Sequence, residues 1–418
     1  MLRPLRGRKC LQRGGDPGGV SAAASRGGRY QIRRLRVSGE DEFLGNRRLH
    51  QEGGRNSRGF RKDVGSRLRQ EIDFTPLGTK FRAADFSDAS FLGCRFPNAR
   101  QMAQELRAEN VVLENKDSLP FKPFRAFLYT QRELADMDSK AYEYYKAAGS
   151  APMAHLYFSA HDFSIRDALL DFVEGKTFVS IMGGHAVKRA EEAYRRSASL
   201  GRKLAAAGFI VSTGGGPGQM EAANLGAAYF DLPEADFNKA LDLMAVPSSI
   251  QPEYLDRETP KRVIDKFPLE SAAPSLGIPT FYYGHEPSNL FATFHAKFFS
   301  NAPREEVLLA ICHGGLIMSP GGPGTFQELW QAGCQIAYAP RERKFPVVFL
   351  GKDFWIDSGV YDCFMKQATK FKHDDLVLIT DSLDETVEFL VCVARERKLY
   401  LLQRPREEMM APYWYSKD

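Results

Sequence analysis

The sequence predicts an α/β fold: a Rossmann-like, doubly wound parallel sheet flanked by helices, with an N-terminal accessory region. Two observations predict it. From about residue 166, short β-branched and apolar runs alternate with helical stretches, the pattern of a parallel sheet covered on both faces. Several of those runs end in glycine clusters, and ligands of such sheets bind at the carboxyl ends of the strands. The crossovers are expected to be right-handed.

Residues 1–70 hold 16 Arg and 2 Lys against 6 Asp/Glu, a balance of +12, with Gly-Gly pairs at 14, 18, 27 and 53 and no apolar periodicity. They read as a disordered basic leader: a dispensable tail first, a transit peptide or a nucleic-acid arm as lesser readings. The other 348 residues carry 39 Lys/Arg against 46 Asp/Glu, or −7, so the net +5 of the chain says nothing about the body. The leader lacks aromatic residues spaced to stack bases, and a nucleic-acid partner is not expected. No apolar run approaches the roughly 20 residues that span a bilayer, so no membrane partner is expected and the location predicted is cytoplasmic. The six Cys, at 10, 94, 312, 334, 363 and 392, form no CxxC and no zinc spacing; reduced thiols and no metal are expected.

Residues 71–165 read as an α-rich accessory region with helices over 98–109 and 132–148, the second carrying the stripe Leu134, Met137, Ala141 and Tyr145. The main domain, 166–396, is expected to place strands at 177–182, 209–213, 241–246, 280–283, 315–319, 346–350 and 376–380. Helices are expected at 188–207, 219–229, 288–299, 325–337 and 382–395, with a tail over 397–418. The Phe-rich segment 281–299 suggests a subunit contact and hence a homodimer or higher homo-oligomer.

Four segments carry chemistry. Ser319-Pro-Gly-Gly-Pro-Gly-Thr-Phe-Gln-Glu328 runs from strand through turn to helix. Its glycines let backbone approach a ligand, and the first helix amides, lacking intrahelical partners, suit one phosphate. Gly321, Gly322, Gly324 and Thr325 are the candidate contacts. No Lys follows the last Gly, so a P-loop NTPase is disfavoured. Thr325 and Glu328 also match a capping box, which leaves Glu328 open between a cap and a group facing a bound ribose. Thr213-Gly-Gly-Gly-Pro-Gly-Gln-Met-Glu221-Ala-Ala-Asn224 repeats the strand–loop–helix arrangement but is out of register for GxGxxG. Met182-Gly183-Gly184-His185 ends the first strand, and His185 reads as a surface loop residue before a catalyst. Arg304, in Phe298–Glu306, can offer a bidentate fork to a phosphate or carboxylate, or belong to a solvated charge run.

In order and spacing these segments resemble the LOG (Lonely Guy) family of nucleoside 5′-monophosphate phosphoribohydrolases, once labelled "lysine decarboxylase-like". Its PGGxGTxxE hallmark is matched by Pro320–Glu328, and its GGGPGxMEAAN companion by Gly214–Asn224. The stretch from Tyr283 to Glu306 looks most like the larger bacterial nucleotide 5′-monophosphate nucleosidases of that superfamily. The resemblance spans about 166–396. It implies cleavage of the N-glycosidic bond of a nucleoside monophosphate to free base and ribose 5-phosphate, with no cofactor. It makes Arg304 and Glu328 the catalytic pair and Gly321–Thr325 the phosphate loop. Gly214, Gly215, Gly216, Gly218 and Glu221 would line the nucleotide site, with Gly183 and Gly184 at its rim. The family's small enzymes have Arg-Lys where this chain has Arg304-Glu305, and often Gly-Ser where it has Gly183-Gly184; both departures bear on base specificity more than on reaction type. Glycosidic cleavage builds positive charge on the ribose, which a carboxylate such as Glu328 can stabilise. A pyridoxal-phosphate decarboxylase would need a Schiff-base Lys, and neither glycine loop has one. A non-catalytic nucleotide or cofactor carrier on the same fold is the alternative, and a nicotinamide-dependent oxidoreductase a distant third.

Overall fold

Along Phe178–Met182 the side chains alternate between two apolar layers: Phe178 and Met182 pack with one cluster, Val179 and Ile181 with the other. That period of two, with every residue buried, marks a strand covered on both faces. The computed structural model describes residues 118–250, 252–269, 272–284 and 287–401, and the backbone of three short strands before them. Residues 1–67 of the leader, the helix expected over 98–109 and residues 402–418 of the tail lie outside the described residues, while the last three residues of the leader, Leu68–Gln70, form a strand rather than disordered chain.

The strands are β1 (Leu68–Gln70), β2 (Ser90–Leu92), β3 (Val112–Leu113), β4 (Tyr129–Thr130), β5 (Phe178–Met182), β6 (Ile210–Thr213), β7 (Ser275–Gly277), β8 (Phe294–His295), β9 (Gly315–Met318), β10 (Val347–Leu350) and β11 (Val377–Thr380). The helices are α1 (Gln131–Ala148), α2 (Pro152–Val173), α3 (Glu192–Ala206), α4 (Gln219–Ala228), α5 (Glu234–Met244), α6 (Glu258–Lys266), α7 (Asn301–Ala310), α8 (Pro323–Tyr338), α9 (Lys352–Asp357), α10 (Val360–Lys370) and α11 (Leu383–Leu401). The first three strands form a small parallel sheet; the other eight run in the order β11-β10-β9-β5-β6-β7-β8-β4. Every pair in the large sheet is parallel except β4 with β8. This is the expected α/β fold with one antiparallel edge.

Helices α2, α7, α8 and α10 pack on one face of the sheet, and α3, α4 and α11 on the other. The chain steps outward from β5 through β6 and β7 to β8, then returns to lay β9 on the other side of β5. The strand order therefore reverses between β5 and β9, and the crevice beyond their carboxyl ends is where such sheets hold ligands.

Three expectations change. Residues 241–246 are not a strand: Phe237, Ala240, Leu241 and Met244, at helical spacing, form the buried face of α5. Residues 280–283 contribute only an isolated bridge, Thr280 to Phe298, and the strand lies earlier, at β7. Residues 288–299 are not helical but extended through β8, because Asn289 and Thr293 bind backbone locally. The Asn289 carboxamide accepts from the amides of Phe291 and Ala292, and Thr293 exchanges hydrogen bonds with Ser275 of β7. Of the phenylalanines of 281–299, Phe281, Phe291, Phe298 and Phe299 are buried inside the chain and Phe294 is half-buried, while Tyr282 and Tyr283 of the same segment are exposed.

The expected boundary at 165/166 falls inside α2, and β4 joins the main sheet. Phe121 and Phe158 pack on Phe299 at ring-centroid distances of 4.7 and 4.4 Å, tying residues before the boundary to the core after it. The α1 stripe holds: Leu134 and Ala141 are buried, with Met137 and Tyr145 packed against the core.

Helices α3 and α4 cross at backbone contact, because a Cβ on Gly226 would overlap the carbonyl of Ala198 and one on Gly201 that of Ala223. Gly226→Ala is expected to cost about 1–3 kcal/mol through overpacking, read as a lower midpoint in urea unfolding. An unchanged midpoint would mean that the two helices separate freely.

Candidate functional site

Three of the four chemistry-bearing segments leave the carboxyl ends of neighbouring strands: β5 feeds Gly183-Gly184, β6 feeds Gly214–Gly218 and β9 feeds Ser319–Gly322. They are stitched together. The Gly184 amide donates to the carbonyl of Pro320 at 3.2 Å, and the Gln219 amide donates to the carbonyl of Gly184, also at 3.2 Å. A Cβ on Gly183 would overlap Gln219 Oε1, and one on Gly218, at φ +67°, would stand 2.7 Å from the Gly184 carbonyl. Gly183 and Gly184 therefore join the two glycine loops rather than only rimming the site. Gly215, at φ +76°, lies against Pro279, and its carbonyl accepts from the Asn289 amide. The carbonyl of Gly216 accepts from the Asn289 carboxamide.

The loop expected to hold phosphate opens α8 two residues earlier than expected, with Gly322 as the cap residue and Pro323 at the first helical position. Thr325 lies inside the helix and makes no capping hydrogen bond, so the capping-box reading of Thr325 and Glu328 fails. Amides of Thr325 and Phe326 turn back to the Gly322 carbonyl. Gly321 and Gly322 amides have no hydrogen-bond partner among the described residues, and no atom would crowd a Cβ on Gly322 or Gly324. Ser319 Oγ, buried beside them, is unpartnered. Open space, free amides and the positive end of a 16-residue helix make an anion cradle.

Arg304 reaches this cradle from α7. Its Nη1 lies 3.9 Å from Glu328 Oε1 and 3.1 Å from Glu305 Oε1. A Cβ on Gly214 would stand 3.8 Å from the same nitrogen, so the second glycine loop faces the pair. The side chains of Arg304, Glu305 and Glu328 are 8%, 2% and 12% exposed, which excludes a solvated charge run. Arg304 Nε makes no hydrogen bond, leaving a donor free for a ligand. Burial first, then the charge of Glu305, pushes the Glu328 carboxyl up to about 8 against the pull of Arg304. Burial also raises Glu305, again against Arg304.

Glu221 stands differently. Both its oxygens are occupied: Arg189 Nε and Nη2 donate to them at 2.9 Å each, and the Tyr194 hydroxyl adds a bond at 3.0 Å. Arg189 continues to Asp256 at 3.2 Å. This buried network anchors the first turn of α4 beneath the glycine loop, and both Glu221 oxygens already accept hydrogen bonds from within the protein. His185 is exposed, as its loop reading expects. Arg189 and Glu305 were not picked out as site residues. Each sits in what reads locally as a charged stretch, and only the fold shows them buried.

No protein-family model and no curated protein matches the chain. Among solved structures it is similar to the molybdenum cofactor binding protein of Rippkaea orientalis, with 17% identity, 52% of this chain and 97% of that chain covered, and a TM-score of 0.32. It is also similar to the molybdenum cofactor carrier protein of Chlamydomonas reinhardtii, with 16% identity, 54% and 99% coverage and a TM-score of 0.30. A second structure of that carrier gives 18%, 52%, 99% and 0.32. No helix among the described residues is long and apolar enough to cross a membrane.

Proposed function

We propose that the chain hydrolyses the N-glycosidic bond of a nucleoside 5′-monophosphate to free base and ribose 5-phosphate. The observation that carries this reading is a buried Arg304–Glu328 pair set against an open helix-N-terminal phosphate cradle. In this reading the amides of Gly321, Gly322 and Gly324 hold the 5′-phosphate, with the Arg304 guanidinium beside them. The phosphate then supplies remote binding energy that orients the sugar. Glu328, one helical turn beyond Gly324, meets the ribose where glycosidic cleavage develops positive charge. The motif resemblance to the LOG family supports the same assignment.

A second reading is a carrier that holds a nucleotide or nucleotide-like cofactor without cleaving it; the structures above are named as molybdenum cofactor binding and carrier proteins. One feature favours it here: burial, then the charge of Glu305, raises the Glu328 carboxyl to about 8, and a neutral acid does little for a cation. Both readings use one cradle and differ in turnover.

A panel of nucleoside monophosphates, chromatographed for free base, separates them. Under the hydrolase reading at least one releases base, and its dephosphorylated nucleoside is slower by on the order of 100-fold. Gly321→Val, whose side chain would overlap Thr325 Oγ1, erases that preference by blocking the cradle. Equal rates for nucleotide and nucleoside would overturn the placement of the phosphate.

A further inference from the structure

Arg304 and Glu305 are neighbours on α7, and Glu328 approaches from α8. One guanidinium nitrogen thus faces two carboxyl groups, at 3.1 Å and 3.9 Å, in a site where neither acid is more than 12% exposed. With both acids ionised the cluster would carry one uncompensated negative charge out of water, which is costly. A single bound proton removes it. Glu305 is the nearer to the guanidinium and so the better stabilised as a carboxylate; its second oxygen, Oε2, has no hydrogen-bond partner.

We propose that Glu305 and Glu328 share one proton around Arg304, and that Glu305 is a positioning residue that keeps this proton on Glu328 for delivery to the departing base. The delivery step rests on the nucleosidase reading above.

Like charges held at one site cannot both ionise freely, so their titration belongs to the pair. Burial and the charge of Glu305 act on Glu328 in the same direction. Two other titratable groups sense the pair. The Tyr283 phenol, which accepts a hydrogen bond from the Asn301 carboxamide, is raised by burial and then by Glu305. Burial pushes the Cys312 thiol up to about 12. Both are neutral at pH 7, which leaves Arg304 and the two acids to set the charge.

The step balances. The bond from C1′ to the base nitrogen breaks and its electron pair stays with the nitrogen, which takes the proton of Glu328. The new Glu328 carboxylate then faces the ribosyl cation as it forms. Water adds its oxygen to C1′ and returns a proton to Glu328, so one water is consumed and no oxidant is needed. A neutral Glu328, the feature that favours a carrier, becomes the loaded state of an acid catalyst.

The test uses the full chain, labelled with carboxyl-13C glutamate, in a pH titration by NMR run beside the pH profile of base release. A glutamate resonance with a midpoint near pH 8, absent in Glu328→Gln, is expected. Glu305→Gln should move that midpoint, and the alkaline limb of kcat with it, toward acid by about one unit or more. Glu305→Asp, which keeps the charge, should restore most of both. A Glu328 midpoint in the ordinary carboxylate range, or one that Glu305→Gln leaves in place, overturns the shared proton. A uniform fall in kcat at every pH, with the limb unmoved, reduces Glu305 to packing. A shifting midpoint in a protein that releases no base sinks the nucleosidase reading and the delivery step, while the shared proton stands.

Discussion

Glu328→Gln is expected to lower kcat for base release about 100- to 10,000-fold, with nucleotide binding kept. Glutamine has nearly the same shape, so the packing of α8 against α7 survives, but it can neither release a proton nor carry the charge that faces the ribosyl cation. The same substitution has a thermodynamic signature with a definite sign. The folded carboxyl sits at about 8 against an ordinary glutamate value of 4.5, so the native state holds a proton that the unfolded chain gives up. That contribution to stability is fully present below the unfolded value and is lost as pH rises through the folded one. The wild-type melting temperature should therefore fall between pH 5 and 8 by more than that of the Gln variant. Calorimetry at three pH values across that window reads the difference, and parallel curves would show that Glu328 titrates normally.

Arg189→Met is expected to destabilise the fold by about 3–5 kcal/mol, because it strands Glu221 and Asp256 as buried charges without their cation. For a chain of this size the melting temperature should drop by on the order of 10 °C. The double variant Arg189→Met with Glu221→Gln should recover part of the loss, since removing both partners leaves less unpaired charge. This separates a structural Glu221 from a nucleotide-binding one. A structural residue changes stability with KM nearly unchanged in the surviving fold. If Glu221→Gln raises KM and leaves the melting temperature alone, the carboxylate reaches the ligand after all.

The parallel sheet was legible because its central strands are short, mainly apolar runs that end in clustered glycines. The proposed catalytic pair was legible only by resemblance. Locally Arg304 reads as part of a charge run, and Glu328 as the end of a capping box; two-residue displacement of the start of α8 by Pro323 decides the second question. Segment 288–299 misled for a physical reason: its apolar residues recur at helical spacing, yet Asn289 and Thr293 spend their side chains on backbone groups, which favours extended chain over helix. Burial of Arg189 and Glu305 left no local trace at all. Both depend on partners far along the chain, Glu221 and Asp256 for the first and Glu328 for the surroundings of the second.

The fate of a bound nucleotide distinguishes a hydrolase from a carrier most directly. Wild-type protein mixed with one equivalent of each nucleoside monophosphate, denatured after a set interval and chromatographed, should give free base and ribose 5-phosphate in equal amounts from at least one of them. Recovery of every nucleotide intact from a protein that binds it tightly would contradict the hydrolase and leave a carrier built on the same cradle.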